Sequence, residues 1–463
     1  MKAARLFTQN RAVDMLHGPI FKSLLLFALP VLISSIFQQF YNLADTMIVA
    51  HFLGDAALAS IGATTAIYDM MVGFAIGIGS GLSVVTGRSF GSGDRDLLKR
   101  SVTHALYIGA GVSVVITVLA QVFLLKLLQF LNTPADILDM AYSYISTITL
   151  FTTVTFTYNL LSGLLRAIGN SFMPLVFLIL SSIVNVFLDI LFITRFSLGV
   201  AGAACATVIA QGLSAVLCAI YLWKRTKLLV PAKRHFRFDL RLFREMLGQG
   251  LAMGLMQSIV ATGTVVLQYG INGLGTLIIA GHTTARKIYM FFLMPFSAMS
   301  QAISTFASQN RGANQRDRIR KAMRCLYIYD ASLAAFMAIF MQLFAEMLVK
   351  AVSGSTDPTI IGNATFYLKV VGPSYFLLAV LIQTRTALQS IGSKLIPTLS
   401  SITELVVKFL FVVALIPYFG YNAVVFCEPV IWGIMSIQVL AAMKTNKFMR
   451  NTLESQSFSQ DVE

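Results

Sequence analysis

Gly87-Arg88-Ser89-Phe90-Gly91-Ser92-Gly93-Asp94-Arg95-Asp96 returns 221 residues later as Ser308-Gln309-Asn310-Arg311-Gly312-Ala313-Asn314-Gln315-Arg316-Asp317. Gly54 with Gly273, Gly62 with Gly281, Gly169/Pro174 with Gly392/Pro397 and Gly199 with Gly420 follow in the same order at nearly the same offset. A series of this kind marks a duplicated unit. Composition says what the unit is made of. Hydrophobic residues make up 57% and charged residues 12%, against roughly 45–50% and about 25% in soluble proteins. Apolar runs of about 18–25 residues, long enough to cross a hydrocarbon core of about 30 Å, recur about twelve times. They lie at 20–50, 56–86, 101–126, 138–163, 172–194, 200–223, 246–271, 276–307, 324–349, 359–384, 396–418 and 422–443. The expected fold is an all-α integral membrane protein of about twelve transmembrane helices in two six-helix repeats.

Six crossings are an even number, so both copies enter from the same side. They are parallel repeats, related by an axis along the membrane normal, and their interface is the expected place for a substrate cavity near mid-membrane. The net charge of +15 would suggest nucleic acid as partner of a soluble chain. Here most Lys and Arg fall on the two tails and at the ends of even-numbered spans, with only Lys126, Arg195, Lys350 and Lys369 at the opposite ends. By the positive-inside rule both termini are cytoplasmic, in a plasma (inner) membrane, and the charge is topogenic. The resulting division is a cytoplasmic segment 1–19, a first lobe 20–223, a basic cytoplasmic linker 224–245, a second lobe 246–443 and a cytoplasmic tail 444–463. The linker is either an amphipathic stretch on the anionic leaflet surface or a plain connector. The first apolar run is too long for a signal sequence and is read as a retained helix.

Within the first run, Tyr41-Asn42-Leu43-Ala44-Asp45-Thr46-Met47 carries an acid where nothing else is charged after Lys22. An acid at a helix centre costs about 2.5–3.5 kcal/mol on insertion scales, so it is a functional-site hypothesis by default. Depth supplies partners. At 1.5 Å per residue Asp45 and Asp189 each lie about 9 Å before the outer end of their spans, and Thr207 about 10 Å past the outer start of its own. Asn185 and Asp189, four residues apart, share one helix face. Two carboxylates, an amide and a hydroxyl suit a hard cation. They equally suit a proton, because burial and a like-charged neighbour both disfavour ionised carboxylates. The sequence leaves Na⁺ and H⁺ open. The bland alternative is that Asn185 and Asp189 only satisfy helix–helix contacts.

The second lobe does not repeat the cluster: Asp45 aligns with Thr264, Asn185 with Lys408 and Asp189 with Val412. It offers Glu404 and Lys408, spaced to pair on one helix face, and Arg286 and Lys287, about 15 Å into the eighth span. Gln38, Tyr41, Asp69, Arg286, Glu404 and Lys408 are the candidates for lining a substrate cavity, with the Glu404/Lys408 pair equally readable as structural. Kinks are expected at Pro30, Pro174, Pro295 and Pro397. The glycines from Gly73 to Gly81 suggest close helix packing. His17, His51, His104, His235 and His282 lack metal spacing, no phosphate loop with Lys-Ser/Thr occurs, and the four Cys read as packed thiols. No enzyme site, cofactor or resident metal is expected.

The motifs around Asp45, the pair Gly87–Asp94 and Thr305–Asn314, and Asn185-Val186-Phe187-Leu188-Asp189 with Leu198–Ala204 resemble the multidrug and toxic compound extrusion (MATE) family, of the MATE/MOP fold type, over about 15 to 445. The resemblance implies an antiporter alternating between inward- and outward-open states, without cofactor, exchanging cationic or amphiphilic organic compounds for Na⁺ or H⁺. It also implies a monomer among membrane lipids, and that Asp45, Asn185, Asp189 and Thr207 form the coupling-cation site. A flippase for lipid-linked sugars from a related branch would use a basic groove, which Arg286 and Lys408 keep open; the Asp cluster speaks against it. A membrane scaffold without transport is the rival from another class.

Overall fold

The structure, a computed structural model, describes residues 12–131 and 133–450. The expected tails therefore lie outside the described residues up to 11 and from 451 on. The first half runs α1 (Ile20–Leu53), α2 (Asp55–Gly91), α3 (Arg95–Phe130), α4 (Ala135–Leu150), α5 (Thr152–Ala167), α6 (Phe172–Ile190) with a π-helical turn Leu191–Arg195, and α7 (Gly199–Arg225). The second runs α8 (Leu240–Asn272), α9 (Thr276–Gly312), α10 (Arg316–Ser353), α11 (Pro358–Ser390), α12 (Leu395–Leu410) with a π-helical turn Phe411–Leu415, the single turn α13 (Ile416–Phe419), α14 (Tyr421–Thr445) and the turn α15 (Lys447–Arg450). Among the described residues eleven helices are long and apolar enough to cross a membrane, and α4 with α5, bent by 48°, brings the number to twelve when the pair is counted as one span. That bend needs no proline. Thr152 Oγ1 donates to the Thr149 carbonyl at 2.8 Å, a side-chain bond that competes with the helix ladder where it breaks.

The duplication holds at the level of single hydrogen bonds. Gln121 Nε2 donates to the Ser146 carbonyl (2.9 Å) and Gln342 Nε2 to the Lys369 carbonyl (2.7 Å), the same bond 221 and 223 residues on. Left-handed backbone recurs in step at Gly93/Asn314, Gly169/Gly392 and Gly199/Gly420. Gly54 (φ 81°) is matched by Gly275 (φ 103°) rather than by Gly273, since both directly precede the second helix of their half. Outward stripes match too: Val115, Val118 and Val122 on α3 correspond to Phe336, Ile339 and Leu343 on α10, all exposed. Apolar faces of this kind are what a lipid solvent demands of a spanning helix.

The chain divides into two compact units. One comprises Leu26–Ala261 with the described residues ahead of Pro19; the other comprises Pro19–Leu25 and the chain from Thr262 on. Inside the first, α2 and α8 touch through glycine. A Cβ on Gly77 would stand 2.6 Å from the Met253 carbonyl, and one on Gly81 2.6 Å from Gly250 Cα. This is close approach of backbones through small residues. The second unit is centred on Tyr289, Tyr375, Phe296 and Trp432, whose rings stack in series.

Two expectations change. Pro174 and Pro397 are the third residues of α6 and α12, first-turn positions whose missing N–H has no helical partner to lose, so no kink originates there. The basic linker is shorter than the expected 224–245. It forms two 3₁₀ turns, Lys227–Leu229 and Lys233–Phe236, and α8 already begins at Leu240, capped by Asp239, which accepts from Arg241 N and Leu242 N. His235 is buried and its Nε2 lies 3.0 Å from Asp96 Oδ1, which ties the connector to the start of α3.

Candidate cation site

Three helices of the first unit bring the intramembrane acid to its partners. Asn185 and Asp189 are fully buried on α6, one turn apart, just ahead of the π-helical turn. The Asn185 amide nitrogen donates to Asp189 Oδ2 at 3.0 Å and its oxygen accepts from the Thr207 backbone N–H on α7 at 3.1 Å. From α1, Tyr41 Oη lies 3.5 Å from Thr207 Oγ1, and the half-buried Asp45 meets Asp189 side chain to side chain. Tyr68 on α2 and Tyr144 on α4 complete the surroundings within electrostatic reach of Asp45. Asp45, Asn185, Asp189 and Thr207 are thus one cluster.

What the cluster lacks is a positive charge. Asp45 Oδ1 and Asp189 Oδ1 are both buried without a hydrogen-bond partner. An ionised carboxylate only accepts, so two that face each other cannot satisfy one another. Among the described residues neither forms an ion pair with a basic side chain. Burying unpaired charge is expensive, and a small cation or a proton between the two oxygens removes the deficit.

The second unit fills the same place differently. At the repeat offsets Thr207 corresponds to Glu428, Asn185 to Lys408, Tyr68 to Tyr289 and Tyr144 to Tyr367. Glu428 accepts from Arg286 Nη1 (2.8 Å) and from Tyr367 Oη (2.6 Å). Arg286 also lies over the Tyr289 ring, 4.6 Å from its centroid, and His282 Nδ1 is 3.3 Å from Tyr421 Oη. Lys408 Nζ pairs with Glu404 Oε1 at 2.8 Å, and both side chains are largely buried. The acids of this cluster carry their cations on the chain. Arg286, a candidate for lining the cavity, faces an acid instead; Glu428 escaped the sequence reading. A lone Glu seven residues into the run 422–443 was the available signal. Gln38 and Asp69 are exposed.

The MatE family model matches residues 30–191 and 252–414, once in each half. The probable multidrug resistance protein YoeA of Bacillus subtilis (strain 168) is 26% identical over 337 residues, 71% of this chain and 73% of its own. A FAD transporter of Shewanella oneidensis is 25% identical over 438 residues, 91% of this chain and 94% of its own. The crystal structure of MATE in complex with MaL6 superposes with a TM-score of 0.83 at 21% identity, covering 94% of this chain and 100% of that one; it speaks to the fold. A duplicated helical membrane fold with polar clusters inside its spans defines a multi-pass membrane transport protein. Its family is settled by the two matched halves: the chain belongs to the MATE family.

Proposed function

We propose that the protein is a secondary active efflux antiporter that exports cationic or amphiphilic organic compounds in exchange for Na⁺ or H⁺ by alternating access, with both termini cytoplasmic. The observation that carries this reading is the pair Asp45 and Asp189, each with an unsatisfied buried oxygen and, among the described residues, no basic side chain paired with either. An acid pair that the chain itself leaves uncompensated takes its cation from solution, and a cation taken from solution is exchangeable. Asn185 and Thr207 hold Asp189 in place, and Tyr41 ties α1 to α7. Occupancy moves the transport equilibrium only by as much as the ion binds one state better than the other.

Relatives named for multidrug resistance support organic compounds as substrates. Gln38 and Asp69, exposed on spans of the first unit, are the residues this reading assigns to substrate contact, and Arg286, Glu404 and Lys408 are assigned to internal ion pairs. The test is ethidium efflux from proteoliposomes under separately imposed Na⁺ and H⁺ gradients, with wild type and Asp45→Asn side by side. Efflux driven by one gradient and lost in the variant supports the antiporter and names its ion; efflux equal in both proteins overturns the assignment. A second substrate reading comes from the relative named a FAD transporter, and FAD export in the same vesicles decides it.

A further inference from the structure

Asp330 lies in the middle of α10, about 21 Å from its first residue by helical rise. It is fully buried, and neither carboxylate oxygen has a hydrogen-bond partner. Among the described residues no Lys, Arg or His pairs with it. Its polar neighbour across the helix interface is Gln383 on α11, also fully buried. The Gln383 amide nitrogen donates one N–H to the Phe296 carbonyl of α9 at 3.2 Å, its other N–H is the donor on the Asp330 side, and its Oε1 is unpaired. Three acceptor atoms of two neighbouring side chains are thus enclosed with a single N–H to share.

The other unit shows what this interface looks like without an acid. At the repeat offsets Asp330 corresponds to Gly109, Ala379 to Phe156 and Gln383 to Leu160. Gly109 is packed so tightly that a Cβ there would stand 2.7 Å from the Phe156 ring and 3.2 Å from Leu160. In the second unit the large ring is replaced by Ala379, the Leu by an amide, and the space taken up by a carboxyl group. Leu106 and Leu161 of the first unit correspond to Tyr327 and Thr384, whose hydroxyls bond at 2.7 Å. An apolar seam in one copy is a polar seam in the other, and helix packing alone, which the first copy achieves without it, does not call for the acid.

We propose that Asp330 is a proton-binding site in the second unit, loaded in the conformation seen here, with Gln383 as its acceptor. A proton on one carboxylate oxygen turns an acceptor into a donor and gives Gln383 Oε1 the partner it lacks. Loading takes one proton from water onto Asp330, and unloading returns it. The groups that face the site are Tyr327 and Tyr329 on its own helix, Gln383 and Thr384 on α11 and the Phe296 carbonyl on α9; none carries a fixed charge. The site is separate from the Asp45 cluster and does not depend on that cluster's role in coupling.

The test is infrared spectroscopy of the purified full-length protein with aspartate carboxyls isotope-labelled. Wild type is expected to show a protonated-aspartate C=O band that Asp330→Asn loses, Gln383→Leu shifts and Asp45→Asn leaves in place. Its disappearance on raising pH marks proton release. Identical spectra of wild type and Asp330→Asn overturn the proposal, as does a band that vanishes on adding Na⁺ at constant pH. If Asp330→Asn does not fold, Gln383→Leu decides: a shifted band supports the site and an unshifted one refutes it.

Discussion

Asp45→Asn replaces one of two facing carboxylates by a neutral side chain of nearly the same shape. At an effective dielectric constant of about 20 and a separation of about 4 Å, each carboxylate attracts a monovalent cation by about 4 kcal/mol. Removing one of the two would cost that amount if the site were dry. Asp45 is half-buried, and solvent screening of a partly exposed charge takes away at least half, which leaves about 2 kcal/mol, or a roughly thirtyfold weaker affinity. Asp189→Asn, at a fully buried position, loses more and leaves the Asn185 amide a neutral acceptor in place of a charged one. The measurement is Na⁺ and proton binding by calorimetry on purified protein at several pH values, followed by a double-mutant cycle of the two positions. Two acids that hold one cation give non-additive losses. Strictly additive losses, or an Asp45→Asn protein that binds both ions as wild type does, refute the shared site.

Arg286→Met leaves Glu428 buried and unpaired, so a loss of about 3–5 kcal/mol of stability is expected; adding Glu428→Gln should recover most of it in thermal melts, and neither variant should alter cation binding by the first unit. Gly81→Ala places a methyl group 2.6 Å from backbone and should destabilise by about 1–3 kcal/mol, whereas Gly73→Ala meets nothing within 4 Å and should melt as wild type. Asp239, at the cap of α8, is held below the usual carboxylate range, first by the Leu242 N–H that it accepts. Its contribution is therefore complete above the unfolded value of about 3.9 and fades as pH falls through the lower folded value. Asp239→Ala should cost about 1 kcal/mol at neutral pH and progressively less in acid melts below that range.

The spans and the repeat were legible because both are written locally: an apolar run needs no partner to be recognised, and a series of glycines at one offset needs no coordinates. The level shared by Asp45, Asp189 and Thr207 followed from helical rise alone. The contact of Arg286 with Glu428 bridges 142 residues, and nothing in the spacing of either residue announces it. Asp330 shares the apolar run 324–349 with Glu346 and was not singled out by the sequence, because its enclosure depends on three helices meeting. His235 sits in the most basic stretch of the chain, where exposure is the natural reading. Its burial comes from Asp96 at the start of α3, a tertiary contact. The break at Phe151 has no Gly or Pro to mark it, only the hydroxyl of Thr152.

The two copies solve one problem in two ways. Each buries acids in helices that cross a membrane, and buried acids need compensation. In the second copy Arg286, Tyr367 and Lys408 compensate Glu428 and Glu404 from within the chain, so that cluster is equally satisfied whatever the solution contains. In the first copy no such residue pairs with Asp45 or Asp189 among the described residues, and on the proposed reading compensation is recruited from solution. A state that recruits an ion is stabilised by ion concentration through mass action, while a state whose charges are tethered is not. Substituting Thr207 by Glu428, Asn185 by Lys408 and Asp189 by Val412 at matched positions therefore changes more than local polarity. On the proposed reading it makes the Asp45 cluster responsive to the ions around it while the Glu428 cluster keeps its charges tethered, and such a difference between matched clusters is what would let an ion gradient bias a conformational cycle.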